Sequence, residues 1–192
     1  QQKGVEFLER KQGRALIADE MGLGKTVQAL SYLKNHPEMS PALIICPAFL
    51  KINWKREIER WLGCDCQIIN GTKEYPITNK IVIINYDIIG DWVENLKEEN
   101  FSILIADEAH LIKNNKAKRT KAFKRIAKGI SKIVALTGTP IENKPVEIYN
   151  IVNILDPFLF PNYMFFAQRY CNAKKNNFGW DFTGHSNTIE LN

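Results

Sequence analysis

Short apolar runs alternate along the chain with longer segments in which apolar residues recur at helical spacing. The runs are rich in Ile, Val and Leu and are continuously apolar, a pattern typical of strands that are buried on both faces. They predict strands at 15–18, 42–46, 67–70, 81–85, 103–106 and 133–136. The helical spacing predicts helices at 25–35, 50–62, 88–98, 116–128 and 145–155.

The regular alternation of strand and helix predicts an α/β fold. Parallel strands need long crossover connections, which helices usually provide, so we expect a central, mostly parallel sheet flanked by helices. No internal repeat or interdomain linker interrupts the pattern. After Asp156 the sequence becomes rich in aromatic residues, and we interpret 157–192 as an extension packed on the domain formed by 1–156.

Length and composition limit the class of protein. With 192 residues, of which 45% are hydrophobic, the chain is long enough for one domain with a buried core. Apolar runs stay well short of the roughly 18 residues of a membrane span, and the first residues lack a secretory pattern, so we expect a soluble intracellular protein with no membrane partner. The four cysteines have neither zinc-site nor disulfide-framework spacing, and we interpret them as reduced thiols.

The net charge of +5 is unevenly distributed, because one segment carries many basic residues and no acid. A basic surface supplies the phosphate contacts of nucleic-acid binding, but a solvated helix face has the same composition. The sequence leaves both interpretations open. We call this segment the basic stripe; it comprises Lys113, Lys116, Lys118, Arg119, Lys121, Lys124, Arg125, Lys128 and Lys132.

A phosphate-binding pattern follows the first predicted strand. Residues 19–26 read Asp-Glu-Met-Gly-Leu-Gly-Lys-Thr and lead into a predicted helix. In this setting backbone N–H groups close on the phosphates of a nucleotide, Lys25 reaches the β- and γ-phosphates, and Thr26 offers a hydroxyl to Mg²⁺. Asp19 stands where the standard pattern has its first glycine, a departure that helicase-type motors tolerate. The predicted phosphate-binding residues are Gly22, Leu23, Gly24, Lys25 and Thr26.

A pair of acids follows the buried run at 103–106. The sequence there is Asp107-Glu108-Ala109-His110, and ligands of parallel sheets bind at the carboxyl ends of the strands. Asp107 is predicted to hold Mg²⁺, and Glu108 to orient and deprotonate the water that attacks the γ-phosphate. We interpret His110 as a γ-phosphate sensor or a coupling residue.

A third element, Thr137-Gly138-Thr139-Pro140, ends the run at 133–136. Alone it would indicate only a turn. We expect its strand to lie beside the strand that ends at Asp107, which would place Thr137 and Thr139 between the nucleotide and a moving partner surface. The sequence therefore predicts a coupling role for Thr137, Gly138 and Thr139.

These three elements, in this order, resemble the Swi/Snf-related branch of the superfamily two helicase-like ATPases, and the likeness covers nearly the whole chain. Gln1 followed by the segment 4–8 is similar to the part of that family that contacts adenine. Cys46-Pro47, followed by Asn53-Trp54, is similar to its second signature. Thr-Gly-Thr-Pro separates this branch from RNA helicases of similar fold, which usually carry Ser-Ala-Thr.

Two further segments extend the resemblance. Asn85-Tyr86-Asp87 looks like the family segment that follows the DNA backbone. The tail, at 166–174, 179–181 and 184–191, is similar to the HepA-related annealing-helicase subgroup. We interpret Trp54 as a core aromatic and not as a base-stacking platform.

The resemblance implies a RecA-like P-loop NTPase lobe that uses ATP and Mg²⁺ and has duplex DNA as its partner. It implies an adenine contact for Gln1. Family members also need a second RecA-like lobe, whose arginines complete the ATP site, and this chain looks like a piece that ends before that lobe. We therefore expect the chain alone to bind nucleotide weakly and hydrolyse it very slowly, and we predict no oligomer. The expected DNA contacts are Lys51, Lys55, Lys113 and Asn114.

Three functions remain in competition at this stage. The first is an ATP-driven motor that moves along duplex DNA, remodelling nucleoprotein or reannealing strands. The second is a DNA or RNA unwinding helicase of the Asp-Glu-Ala-His type, and the third is a nucleic-acid scaffold without turnover. The expected localisation is cytoplasmic or nucleoid-associated in a bacterial or viral host and nuclear in a eukaryotic one.

Overall fold

The computed structural model describes residues 1–141, 144–176, 179–187 and 190. Parts of the tail that carry the subgroup resemblance, at 188–189 and 191, lie outside the described residues. The main sheet contains β1 (Arg14–Ile17), β2 (Ala42–Cys46), β3 (Gln67–Ile68), β4 (Ile81–Asn85), β5 (Ile103–Asp107) and β6 (Lys132–Leu136). These strands are all parallel and lie in the order β1-β6-β5-β2-β4-β3.

Helices cover both faces of this sheet. Because successive side chains of a strand point to opposite faces, each buried strand contributes to two cores. One core packs strand residues such as Ile44 and Ile105 against the first three helices, and the other packs Ile45 and Leu104 against the next three. The helices are α1 (Gln2–Arg10), α2 (Lys25–Asn35), α3 (Lys51–Leu62), α4 (Val93–Glu98), α5 (Lys118–Ala127), α6 (Tyr149–Leu155) and α7 (Tyr163–Tyr170).

The predicted α/β architecture with a central parallel sheet is confirmed. The bounds of α2 agree with the prediction, but α4 is shorter than the predicted helix at 88–98 because turn hydrogen bonds occupy the backbone as far as Trp92. Helix α1 is not predicted by the sequence pattern, since it buries a single side chain fully, that of Leu8. Among the described residues, no helix is long and apolar enough to cross a membrane.

The aromatic extension after residue 156 forms α7 and a short antiparallel ribbon, β7 (Lys174–Asn176) and β8 (Gly179–Asp181). Phe166 and Tyr170 of α7 pack with Ile148 and Tyr149, which precede and begin α6. The side chains of the ribbon are mostly exposed. Its sequence therefore lacks the alternation of apolar and polar residues that would have predicted two strands. The division at residue 156 stays a prediction.

Arg14 joins three segments at the amino edge of the sheet. Its Nε and Nη2 atoms donate to the carbonyls of Leu155 and Ile154, at the end of α6. Its Nη1 atom donates to the carbonyls of Ile130, at 3.2 Å, and Ser131, at 2.9 Å, just before β6. The last carbonyls of a helix lack partners within the helix, so a cation that donates to them stabilises the helix end.

We expect Arg14→Met to lower the free energy of unfolding by about 2 kcal/mol or more, because several carbonyls lose a charged donor while the aliphatic part of the side chain is kept. Urea unfolding followed by circular dichroism measures this change. Arg10→Met, at the exposed end of α1, is the matched control and should cost much less. Equal unfolding midpoints for the two variants would contradict a structural role for Arg14.

An ion pair joins α1 to the end of α2. His36 Nε2 lies 2.8 Å from Glu9 Oε2, and its Nδ1 lies 2.8 Å from Glu38 Oε1. The ring of Tyr32 packs against the imidazole, with 4.7 Å between the centroids. Hydrogen bonds to Glu9 and Glu38 raise the pKa of His36 above its ordinary value of 6.5. The pKa of Glu38 is lowered by a backbone hydrogen bond and by the hydrogen bond to His36, with a smaller contribution from the charge of Lys132.

The raised pKa of His36 makes the stability of the chain depend on pH. A histidine whose folded pKa is raised contributes stability fully below its unfolded pKa and loses it as the pH rises through the folded value. We therefore expect the free energy of unfolding to fall between about pH 6 and pH 8, and His36→Gln to flatten that fall. Denaturant unfolding across this range tests the point, with the exposed His185→Gln as control. An unchanged pH profile in His36→Gln would refute it.

Candidate active site

The phosphate-binding pattern forms the loop between β1 and α2. Gly22 and Gly24 have φ values of 85° and 80°, in the left-handed region where side chains are strained. Gly24 is the N-cap of α2, so the first N–H groups of that helix face the loop without partners inside the helix. Thr26 lies in the same first turn. This arrangement is suited to binding a phosphate group.

The side chain of Lys25 folds over its own loop. Its Nζ donates to the carbonyl of Asp19 at 2.7 Å and to that of Glu20 at 3.0 Å. Gln1 also approaches the loop, since a Cβ added to Gly24 would lie 2.4 Å from Gln1 Nε2. The residue expected to read adenine and the lysine expected to hold phosphate therefore flank the same glycine segment.

Asp107, the last residue of β5, is buried and held from several sides. Its Oδ2 accepts a hydrogen bond from the indole Nε1 of Trp54 at 2.8 Å, and its Oδ1 accepts from the backbone N–H of Glu108 at 3.0 Å. The hydroxyl of Tyr86 donates to its backbone carbonyl at 2.8 Å. Burial raises the pKa of the Asp107 carboxyl, and the hydrogen bond from Trp54 opposes that rise.

His110 connects the acid pair to the loop after β6. Its Nδ1 lies 3.1 Å from Glu108 Oε2 and 3.2 Å from Thr137 Oγ1. The same hydroxyl of Thr137 accepts the backbone N–H of Thr139 at 3.2 Å. Glu108 itself has a left-handed backbone, with φ at 51°. The Nδ1 atom of the imidazole therefore links the two segments.

The loop after β6 also contacts the phosphate loop. A Cβ added to Gly138 would lie 2.8 Å from Met21 Cγ and 3.6 Å from Lys25 Nζ, so only glycine fits there without displacing Met21. The sheet order explains this meeting, because β6 lies between β1 and β5. The expectation that the strand before Thr137 neighbours the strand before Asp107 is confirmed.

The residues present fit a magnesium nucleotide. A threonine hydroxyl and a carboxylate, from Thr26 and Asp107, are hard oxygen donors of the kind that Mg²⁺ prefers. The ammonium of Lys25 and the N–H groups of the loop are donors suited to phosphate oxygens. The roles assigned to Gln1, Glu108 and His110 stay predictions, and the structure places all three around the same loops.

Comparison with known protein families identifies the family of this chain. Residues 1–180 match the SNF2-related domain family. The chain belongs to the SNF2-related family.

Known proteins similar to this SNF2-related domain include two vertebrate ones. The SWI/SNF-related matrix-associated actin-dependent regulator of chromatin subfamily A-like protein 1 of Xenopus laevis is 35% identical over 195 residues, covering 100% of this chain and 20% of that protein. The DNA annealing helicase and endonuclease ZRANB3 of Bos taurus is 34% identical over 205 residues, covering 100% of this chain and 19% of that protein. The chain thus spans about a fifth of the length of these curated relatives.

A solved structure supports the same assignment. The Sulfolobus solfataricus SWI2/SNF2 ATPase core in complex with dsDNA superposes on 88% of this chain with a TM-score of 0.75 and 31% sequence identity. The matched part is 38% of that chain. The RecA-like lobe inferred from the resemblance is therefore the observed fold of this SNF2-related domain.

The position of Lys51 corrects one expectation of the sequence. We expected it to contact DNA, but it is only 8% exposed and its Nζ donates to three oxygens inside the protein. These are the carbonyl of Ile69 at 3.0 Å, Asn70 Oδ1 at 2.7 Å and Asn85 Oδ1 at 3.0 Å. As the first residue of α3, Lys51 points towards the ends of β3 and β4, so its ammonium binds protein acceptors and not a surface phosphate.

The other expected DNA contacts stay predictions. Lys55 pairs with Asp65 at 2.6 Å and Glu59 at 3.2 Å, so a phosphate would have to compete with two carboxylates. Lys113, whose Nζ lies 3.3 Å from Glu147 Oε1, and the exposed Asn114 line a groove of about 610 Å³ beside α7.

The basic stripe divides into two groups. Arg119, Lys124, Arg125 and Lys132 donate to oxygens of the protein itself. Lys113 pairs with Glu147, and the other members, Lys116, Lys118, Lys121 and Lys128, are exposed. Much of the stripe therefore stabilises the fold, and the second group and Lys113 remain the candidates for phosphate contact.

Two residues at the site were missed by the sequence reasoning. Trp54 is a core residue, as expected, but its indole also holds Asp107. Tyr86, in the segment compared with a DNA-tracking element, is buried and donates to the backbone of Asp107. A buried indole or phenol usually has a hydrogen-bond partner, and this rule is the signal that could have identified both residues from the sequence.

We expect Trp54→Phe to raise the Mg²⁺ concentration needed for half-maximal ATP binding by about tenfold, the effect typical of losing a hydrogen bond to a metal-holding residue. Phenylalanine keeps the apolar ring and removes only the N–H. Titration of a fluorescent ATP analogue at increasing Mg²⁺ concentrations measures the change.

Trp61→Phe is the matched control. Trp61 lies on the same helix, and its indole donates to Glu57 at the surface, 2.8 Å away, so it should leave the Mg²⁺ requirement unchanged. If both tryptophan variants shift the requirement equally, the hydrogen bond to Asp107 has no special role in magnesium binding.

Proposed function

We propose that this chain is the first ATP-binding lobe of an ATP-driven motor that moves along duplex DNA, where it remodels nucleoprotein or reanneals strands. One observation carries the proposal: His110 and Gly138 join the acid pair, the 137–139 loop and the phosphate loop into one contiguous site. The names of the relatives support it, since they describe a chromatin regulator and a DNA annealing helicase.

In this proposal the phosphate loop holds the nucleotide. The backbone N–H groups from Gly22 to Gly24 donate hydrogen bonds to the phosphate oxygens. Lys25 leaves its two carbonyl partners to reach the β- and γ-phosphates. Thr26 and Asp107 hold Mg²⁺, which when bound neutralises charge on the phosphates. The indole of Trp54 keeps the Asp107 carboxylate in one orientation for that task.

Glu108 is proposed to act on the attacking water. Its carboxylate aligns the water with the γ-phosphate and accepts a proton from that water as it attacks. Positioning of this kind supplies most of the catalysis in phosphoryl transfer. The Nδ1 atom of His110 contacts both Glu108 and Thr137, so a change at the acid pair moves the hydroxyl of Thr137. Thr139, which donates its N–H to Thr137, passes that change to the surface of the lobe.

Duplex DNA is the proposed partner, as in the solved complex to which the chain is similar. We infer that Lys113, Asn114 and the exposed members of the basic stripe contact backbone phosphates, which would make binding independent of sequence and weaker at high salt. A second RecA-like lobe is proposed to supply the arginines that complete the ATP site. Family membership favours this motor over an unwinding helicase of the Asp-Glu-Ala-His type.

ATP binding and turnover test the proposal. We expect this chain to bind ATP in the presence of Mg²⁺, and Lys25→Ala to weaken that binding at least tenfold, because Lys25 supplies the cation of the phosphate loop. Lys34→Ala, at the exposed end of the same helix, is the control. Turnover by this chain should be about 1000-fold below that of a protein that also carries the second lobe.

The nucleic-acid cofactor separates the competing functions. In the two-lobed protein, duplex DNA should stimulate hydrolysis more than single strands do, whereas an unwinding helicase would show the opposite preference. Absence of ATP binding, or equal binding by the Lys25 and Lys34 variants, would support the scaffold without turnover and would refute the motor.

A further inference from the structure

Gln28 is a buried polar residue to which no role has been assigned so far. It lies on α2, one turn after Lys25, and is only 2% exposed. Its Nε2 donates to Asp19 Oδ2 at 2.8 Å and lies 3.5 Å from the carbonyl of Leu23. One side of this amide therefore holds both ends of the phosphate loop.

The other side of the same amide meets α1. A Cβ added to Gly4 would lie 1.8 Å from Gln28 Oε1 and 2.6 Å from its Cδ, so α1 comes this close only because residue 4 is glycine. Within the described part of the chain, Oε1 is buried and accepts no hydrogen bond. An unsatisfied buried acceptor is unfavourable, and apolar packing alone would not favour a glutamine there.

Gly4 and Asp19 connect this amide to the two ends of the nucleotide site. Gln1, the residue expected to read adenine, is the N-cap of α1, and the N–H of Gly4 donates to its carbonyl at 3.0 Å. Asp19, which replaces the first glycine of the standard pattern, offers its carbonyl to Lys25 Nζ at 2.7 Å. The contacts therefore run from the base side to the phosphate side through Gln28.

The far end of α1 is also fixed, by the ion pair between Glu9 and His36 at the end of α2. Helix α1 is thus held near both ends, and the contact at Gly4 lies at the end next to the phosphate loop. A shift of α1 at Gly4 would move the Gln28 amide, and through it the carboxylate of Asp19.

We propose that Gln28 is a positioning residue that couples the base-reading helix α1 to the phosphate loop. This inference rests on the proposed function, because it assumes that the loop binds ATP. It explains why Asp19 stands in the place of a glycine: its carboxylate is the acceptor through which Gln28 holds the loop. The base end and the phosphate end of the site then respond to each other within this lobe.

A double-mutant cycle between Gly4 and Gln28 tests the coupling. Gly4→Ala is favourable for helix propensity, so α1 should stay folded, but the new Cβ displaces the Gln28 amide. Gln28→Ala removes the amide and frees the space. The third variant combines both changes, and Gly90→Ala is the control, because a Cβ at residue 90 would meet no atom within 4 Å.

The decisive ligand is inorganic tripolyphosphate, which has no base and cannot touch Gln1. Its dissociation constant with Mg²⁺ is measured by competition against a fluorescent ATP analogue, and that of ATP is measured directly. We expect Gly4→Ala to weaken tripolyphosphate binding about fivefold, which corresponds to one buried hydrogen bond. In the Gln28→Ala background, Gly4→Ala should have no further effect. Thermal unfolding of each variant checks that the fold is kept.

Other outcomes overturn the inference. If Gly4→Ala leaves tripolyphosphate binding unchanged, or changes only ATP binding, α1 does not act on the phosphate loop. Additive effects of Gly4→Ala and Gln28→Ala would show that Gln28 does not carry the coupling. A wild-type chain that binds ATP while no variant differs refutes the coupling alone. A wild-type chain that binds neither ligand refutes the proposed function, and the coupling with it.

Discussion

A carboxylate buried at the end of a strand must be satisfied by hydrogen bonds, and in this chain that requirement organises the centre of the molecule. Asp107 sits where β5 ends, away from water, and its two carboxyl oxygens and its backbone carbonyl all accept hydrogen bonds. The donors come from three segments that are far apart in sequence: the helix that carries Trp54, the end of β4 at Tyr86, and Glu108. Leaving a charged oxygen of this kind unpaired would cost several times the net value of an ordinary hydrogen bond.

The strand order then determines which loops can share this centre. Because β6 lies between β1 and β5, the loop after β6 contacts the phosphate loop through Gly138 and the acid pair through Thr137. Each contact joins neighbouring strands, so a small displacement at one loop reaches the next without any long connection through the core. At the amino ends of the strands the connection is different, because a single side chain makes it. Arg14 of β1 donates hydrogen bonds to carbonyls at the end of α6 and just before β6.

Much of this arrangement could be predicted from sequence, because it depends on local patterns. Continuous apolar runs located the strands, and the glycines of the phosphate loop and the acid pair marked the ends of two of them. Side-chain direction could not be predicted in the same way. Lys51 was expected to contact DNA, but it is buried, and its ammonium donates to three oxygens of residues that are distant in sequence. The contact of Trp54 with Asp107 joins residues that are close in space and remote in sequence, so no local pattern predicts it.

The folded position of Lys25 has a consequence for energetics. Its ammonium already donates to two backbone carbonyls of its own loop. In the proposed site, nucleotide binding exchanges these neutral carbonyl dipoles for charged phosphate oxygens, and the favourable free energy is the difference between the two sets of partners. Because charged oxygens bind an ammonium more strongly than neutral carbonyls do, this exchange would favour an anionic ligand over a neutral one of the same shape.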